Sequence, residues 1–160
     1  MPLDATQLAE LIDSQAASLR LWVRSRCPSP EDVVQDAFCR LASQEPPPGS
    51  PVAWLYAVAR NLADKQRRGD QRRRRREESR AAVESFDDAA ADPLEIAEVG
   101  AAVEELPDEL REVLVARIWG GLSLEEVARL CGISAATAWR RYQAALTTMR
   151  EKLDPCEKQK

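Results

Sequence analysis

The sequence predicts an all-α protein built from two small helical domains. Alanine, leucine, valine, arginine and glutamate are abundant, glycine occurs six times in 160 residues, and aromatic residues make up 5%. Apolar residues recur at helical spacing along several segments, and proline, glycine or a capping residue bounds each segment. An acidic, alanine-rich stretch separates an earlier group of such segments from a later one.

Composition also limits the function classes. The chain has no histidine, and its four cysteines are far apart in sequence, so we expect no histidine-based catalysis, no metal, no disulfide and no cofactor. Cys39 and Cys131 fall within helix patterns and are expected to be buried, whereas Cys27 and Cys156 are candidates for exposure. No apolar run is long enough for a membrane span, and the first residues lack the features of a signal peptide. We therefore expect a cytoplasmic protein with neither membrane insertion nor a small-molecule substrate.

The first domain is predicted over residues 1–78, as three helices. Leu3–Arg24 is amphipathic, and its expected inner face consists of Leu8, Leu11, Ile12, Leu19 and Val23. Glu31–Ser43 follows, with Ser29 as its expected cap and Pro30 in its first turn. The polar residues of this second helix lie on a separate face, which on composition alone is a solvated face.

The third helix opens at Pro51, after the proline-rich loop 44–50. Trp54 is more typical of a core residue than of a base-stacking one. The helix runs into the basic sequence KQRRGDQRRRRR, which is either a solvated tail or a phosphate-binding surface. Its continuity with an amphipathic helix favours phosphate binding.

Residues 79–92 are predicted to be a flexible acidic linker, residues 93–154 a second domain, and residues 155–160 a frayed tail. One helix is predicted from Pro93 to Leu106, and the next from Pro107 to the glycine pair at 120–121. The charge is distributed unevenly. Residues 65–80 contain nine basic and three acidic side chains, whereas residues 81–112 contain one basic and eleven acidic. This asymmetry favours an anionic partner despite the net charge of −4.

The stretch 122–149 predicts a helix-turn-helix. Ser123 and Glu126 have the spacing of a capping box, and Gly132 stands where the first helix must end. Ser134 can cap the second helix, whose expected inner stripe consists of Ala138, Tyr142, Ala145 and Met149. In helix-turn-helix proteins the second helix enters the major groove of DNA. An ordinary helical hairpin in a bundle has the same pattern.

From about Leu8 to Leu153 the chain resembles the extracytoplasmic-function (ECF) sigma factors of the sigma-70 family, the RNA polymerase sigma subunits. Three segments carry the resemblance, and in one-letter code they read PEDVVQDAFCRLA, PVAWLYAVARNLADKQRR and LPDELREVLVARIWGGLSLEEVARLCGISAATAWRRYQAAL. The resemblance implies that the first domain is sigma region 2-like and the second region 4-like. It also implies that the polar face of the second helix docks on the β′ clamp helices of core polymerase, through Asp32, Gln35, Asp36 and Arg40.

The resemblance further implies that the third helix and the loop before it face the −10 promoter element, where a base is extruded from the melting duplex. The residues expected at this element are Asn61, Trp54, Lys65, Arg67, Arg68, Arg72 and Arg73. The family often has a basic residue where this chain has Ala57.

The recognition helix is expected to read the −35 element. Its candidate residues are Ser134, Thr137, Trp139, Arg140, Arg141 and Gln143. Arginine can read guanine and glutamine can read adenine. Trp139 can cover a thymine methyl group, contact a partner or pack on a neighbouring helix. Ala144 and Leu146 stand where the family usually has arginines.

The expected partners are the polymerase core (β′ clamp helices and β flap), double- and single-stranded promoter DNA and, as a regulator, a separate anti-sigma factor. The predicted function is promoter-specific transcription initiation, which is not enzymatic. The alternative is a helix-turn-helix transcriptional regulator that does not act as a sigma subunit.

Overall fold

A computed structural model describes residues 3–77 and 94–153, and every regular element in this part of the chain is an α-helix. The predicted all-α class is confirmed. The predicted linker 79–92 and tail 155–160 lie outside the described residues, and the domain boundaries stay predictions. The helices are α1 (Ala5–Val23), α2 (Pro30–Ser43), α3 (Pro51–Glu77), α4 (Leu94–Glu104), α5 (Asp108–Ile118), α6 (Leu124–Cys131) and α7 (Ala135–Leu153).

Side-chain caps fix the beginnings of four helices, with Asp4 at α1, Ser50 at α3, Ser123 at α6 and Ser134 at α7. Asp4 and Gln7 form a capping box at α1, with the Gln7 N–H donating to Asp4 Oδ1 at 2.8 Å. The expected cap at α2 is wrong, because the Ser29 side chain makes no capping hydrogen bond. The main-chain N–H of Ser29 instead donates to Gln66 Oε1 at 3.4 Å, which ties the start of α2 to α3. Pro30 does occupy the first turn of α2, as expected.

Helices α1, α2 and α3 pack together around a buried aromatic pair. The rings of Trp22 and Tyr56 meet edge to face, 5.1 Å apart. The Tyr56 hydroxyl lies 3.1 Å from the hydroxyl of Ser18 within the same core. Burial raises the Tyr56 pKa to about 12, so this hydroxyl stays protonated and can donate at neutral pH.

Three burial predictions in this region are wrong. Ile12 was expected on the inner face of α1, but 39% of it is exposed. Cys27 is buried and its thiol donates to the Val23 carbonyl oxygen, whereas Cys39 is exposed. Cys39 follows Phe38 directly, and a rotation of about 100° per residue turns it away from the buried stripe of α2.

The second group of helices packs directly against the first. Helix α1 contacts α5, and α3 contacts α6. Tyr56 lies against Gly120, where an added Cβ would stand 3.0 Å from the tyrosine ring. Buried residues from both groups form one continuous cluster. The described helices therefore share a hydrophobic core across the two predicted domains.

Candidate nucleic-acid and protein interfaces

The polar face of α2 is accessible. Asp32, Gln35 and Arg40 are exposed, and Asp36 is partly exposed. Asp36 and Arg40 form a bidentate ion pair. Arg40 Nε lies 3.1 Å from Asp36 Oδ1, and Arg40 Nη2 lies 3.2 Å from Asp36 Oδ2. The opposite face is buried in the core and consists of Val33, Val34, Ala37, Phe38 and Leu41. Packing thus fixes the helix with its polar residues directed outward.

An apolar groove of about 440 Å³ borders this polar face, between α1 and α2. Leu8 and Ile12 of α1 and Phe38 of α2 line it, and Gln35 belongs to both the groove and the polar face. The groove was not predictable from the expected inner face of α1, which included Ile12. The sequence signal that could have predicted the groove is the four-residue spacing of Leu8 and Ile12, which puts both side chains on one stripe of α1.

The candidate residues of α3 form a helical stripe. Trp54, Asn61, Lys65, Arg68 and Arg72 follow one another at intervals of three, four or seven residues, so they share one side of the helix. Asn61 and the three basic residues are exposed, and Trp54 is partly buried. This side of α3 therefore carries a partly accessible tryptophan near the beginning of the helix and exposed basic residues further along it.

Two other arginines of α3 lie beside carboxylates of their own helix. Arg67 Nη2 stands 3.6 Å from an oxygen of Asp64, and Arg73 Nη2 stands 3.1 Å from Asp70 Oδ1. Both arginine side chains are well exposed. An anion at these positions would compete with an intrahelical ion pair, and exposed pairs of this kind are weak.

The helix-turn-helix forms over α6 and α7. Ser123 and Glu126 make the predicted capping box, and Gly132 adopts the left-handed conformation with φ of 67°. Two hydrogen bonds with Ser123 lower the pKa of the Glu126 carboxyl group. The bond with the main-chain N–H of Ser123 lowers this pKa more than the bond with its side chain. The Thr137 N–H donates to Ser134 Oγ at 3.1 Å, so Ser134 caps α7 as predicted.

The exposed side of α7 presents the residues expected to read DNA. Trp139, Arg140 and Gln143 are exposed, and 53% of Trp139 is accessible. Arg140 Nη2 donates to Thr137 Oγ1 at 3.2 Å, which links it to the beginning of the helix. The inner stripe of Ala138, Ala145 and Met149 is buried, and Tyr142 is partly buried. The core packing of α7 therefore directs Trp139, Arg140 and Gln143 to solvent.

Arg141 differs from its neighbours. Its Nη2 lies 2.8 Å from Glu109 Oε2, and only 25% of its side chain is exposed. This ion pair ties α7 to α5, so Arg141 has a structural partner already. The sequence alone did not reveal this pair, because the two residues are 32 positions apart.

No three histidine, cysteine or acidic side chains come together as a metal site within the described residues. In the same part of the chain no helix combines the length and hydropathy needed to cross a membrane.

Two family models match this chain in succession. Sigma-70 region 2 matches residues 11–74, and Sigma-70 region 4 matches residues 96–149. The first match covers most of α1, α2 and nearly all of α3, and the second includes the helix-turn-helix.

Two curated relatives are similar in sequence. The "Probable RNA polymerase sigma factor RfaY" of Xanthomonas campestris pv. campestris is 34% identical over 137 residues, which is 77% of this chain and 34% of that protein. The "ECF RNA polymerase sigma factor EcfG" of Rhodopseudomonas palustris is 35% identical over 120 residues, or 72% of this chain and 66% of that protein. The chain thus spans about a third of the first relative's length and about two thirds of the second's.

Two solved structures are also similar to this chain. The sigma factor RpoE from Bartonella quintana, solved with the anti-sigma factor NepR, matches with a TM-score of 0.61 and 25% identity, over 91% of this chain and 94% of that one. CnrH, solved with the cytosolic domain of CnrY, has the same fold, with a TM-score of 0.53 and 24% identity over 94% of this chain and 90% of that one. With two sigma-70 regions in succession, and with sigma factors as relatives in both sequence and structure, the chain belongs to the extracytoplasmic-function group of the sigma-70 family.

Proposed function

We propose that this chain is a promoter-specificity subunit, which binds core RNA polymerase and directs it to −10 and −35 promoter elements in the cytoplasm. The observation that carries the proposal is the simultaneous exposure of two surfaces, one in each region that matches a sigma-70 model. These are the polar face of α2 and the outer face of α7. A chain with both surfaces can hold polymerase and read DNA at once.

Polymerase docking is assigned to Asp32, Gln35, Asp36 and Arg40, with the β′ clamp helices as their partner. The adjoining groove adds apolar surface to these polar groups. An interface with an apolar centre and a polar rim is typical of specific protein–protein contacts. The second domain is assigned a contact with the β flap.

The −10 element is assigned to the stripe on α3. Asn61 and Trp54 supply a hydrogen-bonding side chain and a flat apolar one, which suit a base that leaves the stack. Lys65, Arg68 and Arg72 continue the stripe, and Arg67 and Arg73 stand near it. These cations suit backbone phosphates, which position a protein on DNA without reading sequence.

The −35 element is assigned to α7. Arg140 and Gln143 are the base readers, because they are exposed and carry the side chains that pair with guanine and adenine. Trp139 is suited to a thymine methyl group or a sugar. Ser134 and Thr137 lie at the beginning of the helix, where main-chain N–H groups favour phosphate. Arg141 is assigned a supporting position, because it is paired with Glu109.

We propose that the chain performs this function without catalytic activity of its own. We also propose control by an anti-sigma protein, since the relative RpoE was solved with one. The alternative function, a transcriptional regulator that does not act as a sigma subunit, requires the DNA-reading face of α7 but not the polar face of α2.

Binding to core polymerase tests the docking assignment. Replacing Asp32, Gln35 and Asp36 together by alanine should weaken binding at least tenfold, without a change in the unfolding midpoint. Glu151→Ala, on the exposed end of α7, is the matched control. Undiminished binding by the triple variant would remove the docking assignment.

A further inference from the structure

A series of three hydrogen bonds runs along the outer face of α7. The Ser134 hydroxyl donates to Thr137 Oγ1 at 2.9 Å, and the Thr137 N–H donates to Ser134 Oγ at 3.1 Å. Arg140 Nη2 donates to the same Thr137 Oγ1 at 3.2 Å. Successive members are three residues apart, so they stand on neighbouring turns of one side of the helix. The cap of α7 is therefore connected to the side chain that is assigned to guanine.

Thr137 is held more firmly than Arg140. Its two hydrogen bonds with Ser134 fix both its main chain and its hydroxyl, and a β-branched side chain has few rotamers in a helix. Thr137 is partly buried, whereas Arg140 is exposed. Within the described residues, the group that the Arg140 guanidinium contacts is the Thr137 hydroxyl, whereas the neighbouring Arg141 pairs with Glu109. The orientation of Arg140 therefore depends on Thr137.

The chemistry of the guanidinium allows Arg140 to keep this hydrogen bond while it reads a base. Each of the two Nη atoms of arginine carries two N–H groups. Arg140 Nη2 can donate one of them to Thr137 and the other, together with an N–H of Nη1, to the O6 and N7 acceptors of guanine. The hydrogen bond to Thr137 is thus compatible with bidentate recognition of guanine.

We propose that Thr137 is a positioning residue, which holds the Arg140 guanidinium in the orientation that reads guanine in the −35 element. A side chain that is already ordered loses less conformational freedom on binding, and ordering one such side chain corresponds to about a two- to tenfold change in affinity. The gain applies only where Arg140 bonds to the base, so it increases discrimination more than overall affinity. The role at a promoter rests on the proposed function, but the ordering of Arg140 is measured without DNA or polymerase.

Nuclear magnetic resonance measures the ordering of Arg140 in the free, full-length chain. Thr137→Val removes the hydroxyl but keeps the β-branched shape, and the main-chain N–H at this position can still donate to Ser134 Oγ, so α7 stays capped. We expect the order parameter of the Arg140 Nε–H group to fall in Thr137→Val and to recover in Thr137→Ser. Thr148→Val is the matched control, because the Thr148 hydroxyl donates to the main-chain oxygen of Ala144.

Base discrimination tests the consequence for DNA reading. Duplexes that bind the full-length chain tightly are selected from a random library, and the base pair that Arg140 reads is the one whose preference Arg140→Ala abolishes. At this base pair Thr137→Val should lose about two- to tenfold of the preference for guanine, whereas Thr137→Ser and Thr148→Val should keep it. In the Arg140→Ala background, Thr137→Val should have no effect at this position, because the residue through which Thr137 acts is absent.

The positioning role of Thr137 is overturned if Arg140 is as mobile in the wild type as in Thr137→Val, or if no base preference depends on Arg140. It is equally overturned if Thr137→Val discriminates at this base pair like the wild type. A uniform loss of affinity for all duplexes would also overturn it, because Thr137 would then contact phosphate. Failure of the chain to start transcription, with the expected changes in ordering and discrimination, would overturn the proposed function alone.

Discussion

The indole N–H of Trp22 in α1 donates to the main-chain oxygen of Glu112 in α5, 3.2 Å away and 90 residues later in the chain. Trp22 is fully buried and also packs on Tyr56. One side chain therefore belongs both to the core of the first three helices and to their contact with α5.

Trp22→Phe removes the hydrogen bond but leaves an aromatic ring, although a smaller one, against Tyr56. The phenyl ring can still meet Tyr56, but the Glu112 oxygen loses its indole donor. A buried acceptor left without its partner costs about 1–3 kcal/mol, and the smaller ring leaves a cavity, so the free energy of unfolding should fall by at least that order. Urea titration followed by circular dichroism measures it. Trp139→Phe, at an exposed tryptophan, is the control and should leave stability nearly unchanged.

The groove between α1 and α2 should contribute to polymerase docking. Ile12→Glu places a carboxylate at its exposed wall, so binding to an isolated β′ clamp fragment should weaken about tenfold, equivalent to about 1.4 kcal/mol. Ile118→Glu is the control, because this isoleucine is 49% exposed on α5, away from the groove. Equal binding by both variants would exclude the groove from the docking surface.

Arg140 should select one base pair of the −35 element. Arg140→Ala should cost about 1–3 kcal/mol of discrimination at a single position and leave preferences elsewhere intact. Binding of the polymerase complex to a set of single-base variants measures the change. Arg150→Ala, an exposed arginine three turns later on α7, serves for comparison and should leave base preference unchanged. A uniform loss across all sequences would mean that Arg140 contacts phosphate.

Arg68 should act through phosphate alone. Arg68→Ala should weaken DNA binding about equally for all sequences, and the slope of log affinity against log salt should become shallower by about 1. Titrations at several salt concentrations measure this slope. Arg20→Ala, an exposed arginine on α1, should leave the slope unchanged.

The capping box at α6 should give stability a pH dependence. The Glu126 pKa is lowered in the folded protein, so this contribution is present above the unfolded-state pKa, near 4.5, and disappears as pH falls through the folded-state pKa. Glu126→Gln should therefore be less stable than the wild type at pH 7, and the difference should shrink toward pH 3. Thermal unfolding at several pH values measures it. A difference that does not vary with pH would assign the effect to helix propensity.

Local signals in the sequence predicted much of this structure. The Ser123–Glu126 capping box, the left-handed Gly132 and most of the α7 stripe form as expected, because each depends on residues within two turns of one another. These features also determine which side of α7 faces solvent. The recognition surface therefore followed from helical periodicity.

Contacts between distant segments were not predictable in this way. The burial of Glu112, the pairing of Arg141 with Glu109 and the exposure of Ile12 all depend on how helices far apart in sequence meet. Periodicity within one helix predicts an inner face but not its neighbour. For the same reason the contact between α1 and α5 appeared only in the structure.

The most direct test of promoter-specific initiation by this chain is to map transcription starts with reconstituted core polymerase. With the wild-type chain we predict starts downstream of a shared pair of −35 and −10 motifs, none of which appear with core polymerase alone. Arg140→Ala should relax one position of the −35 motif and leave the −10 motif unchanged. Specific DNA binding by the chain without any new start sites would contradict this function and identify the chain as a regulator that does not act as a sigma subunit.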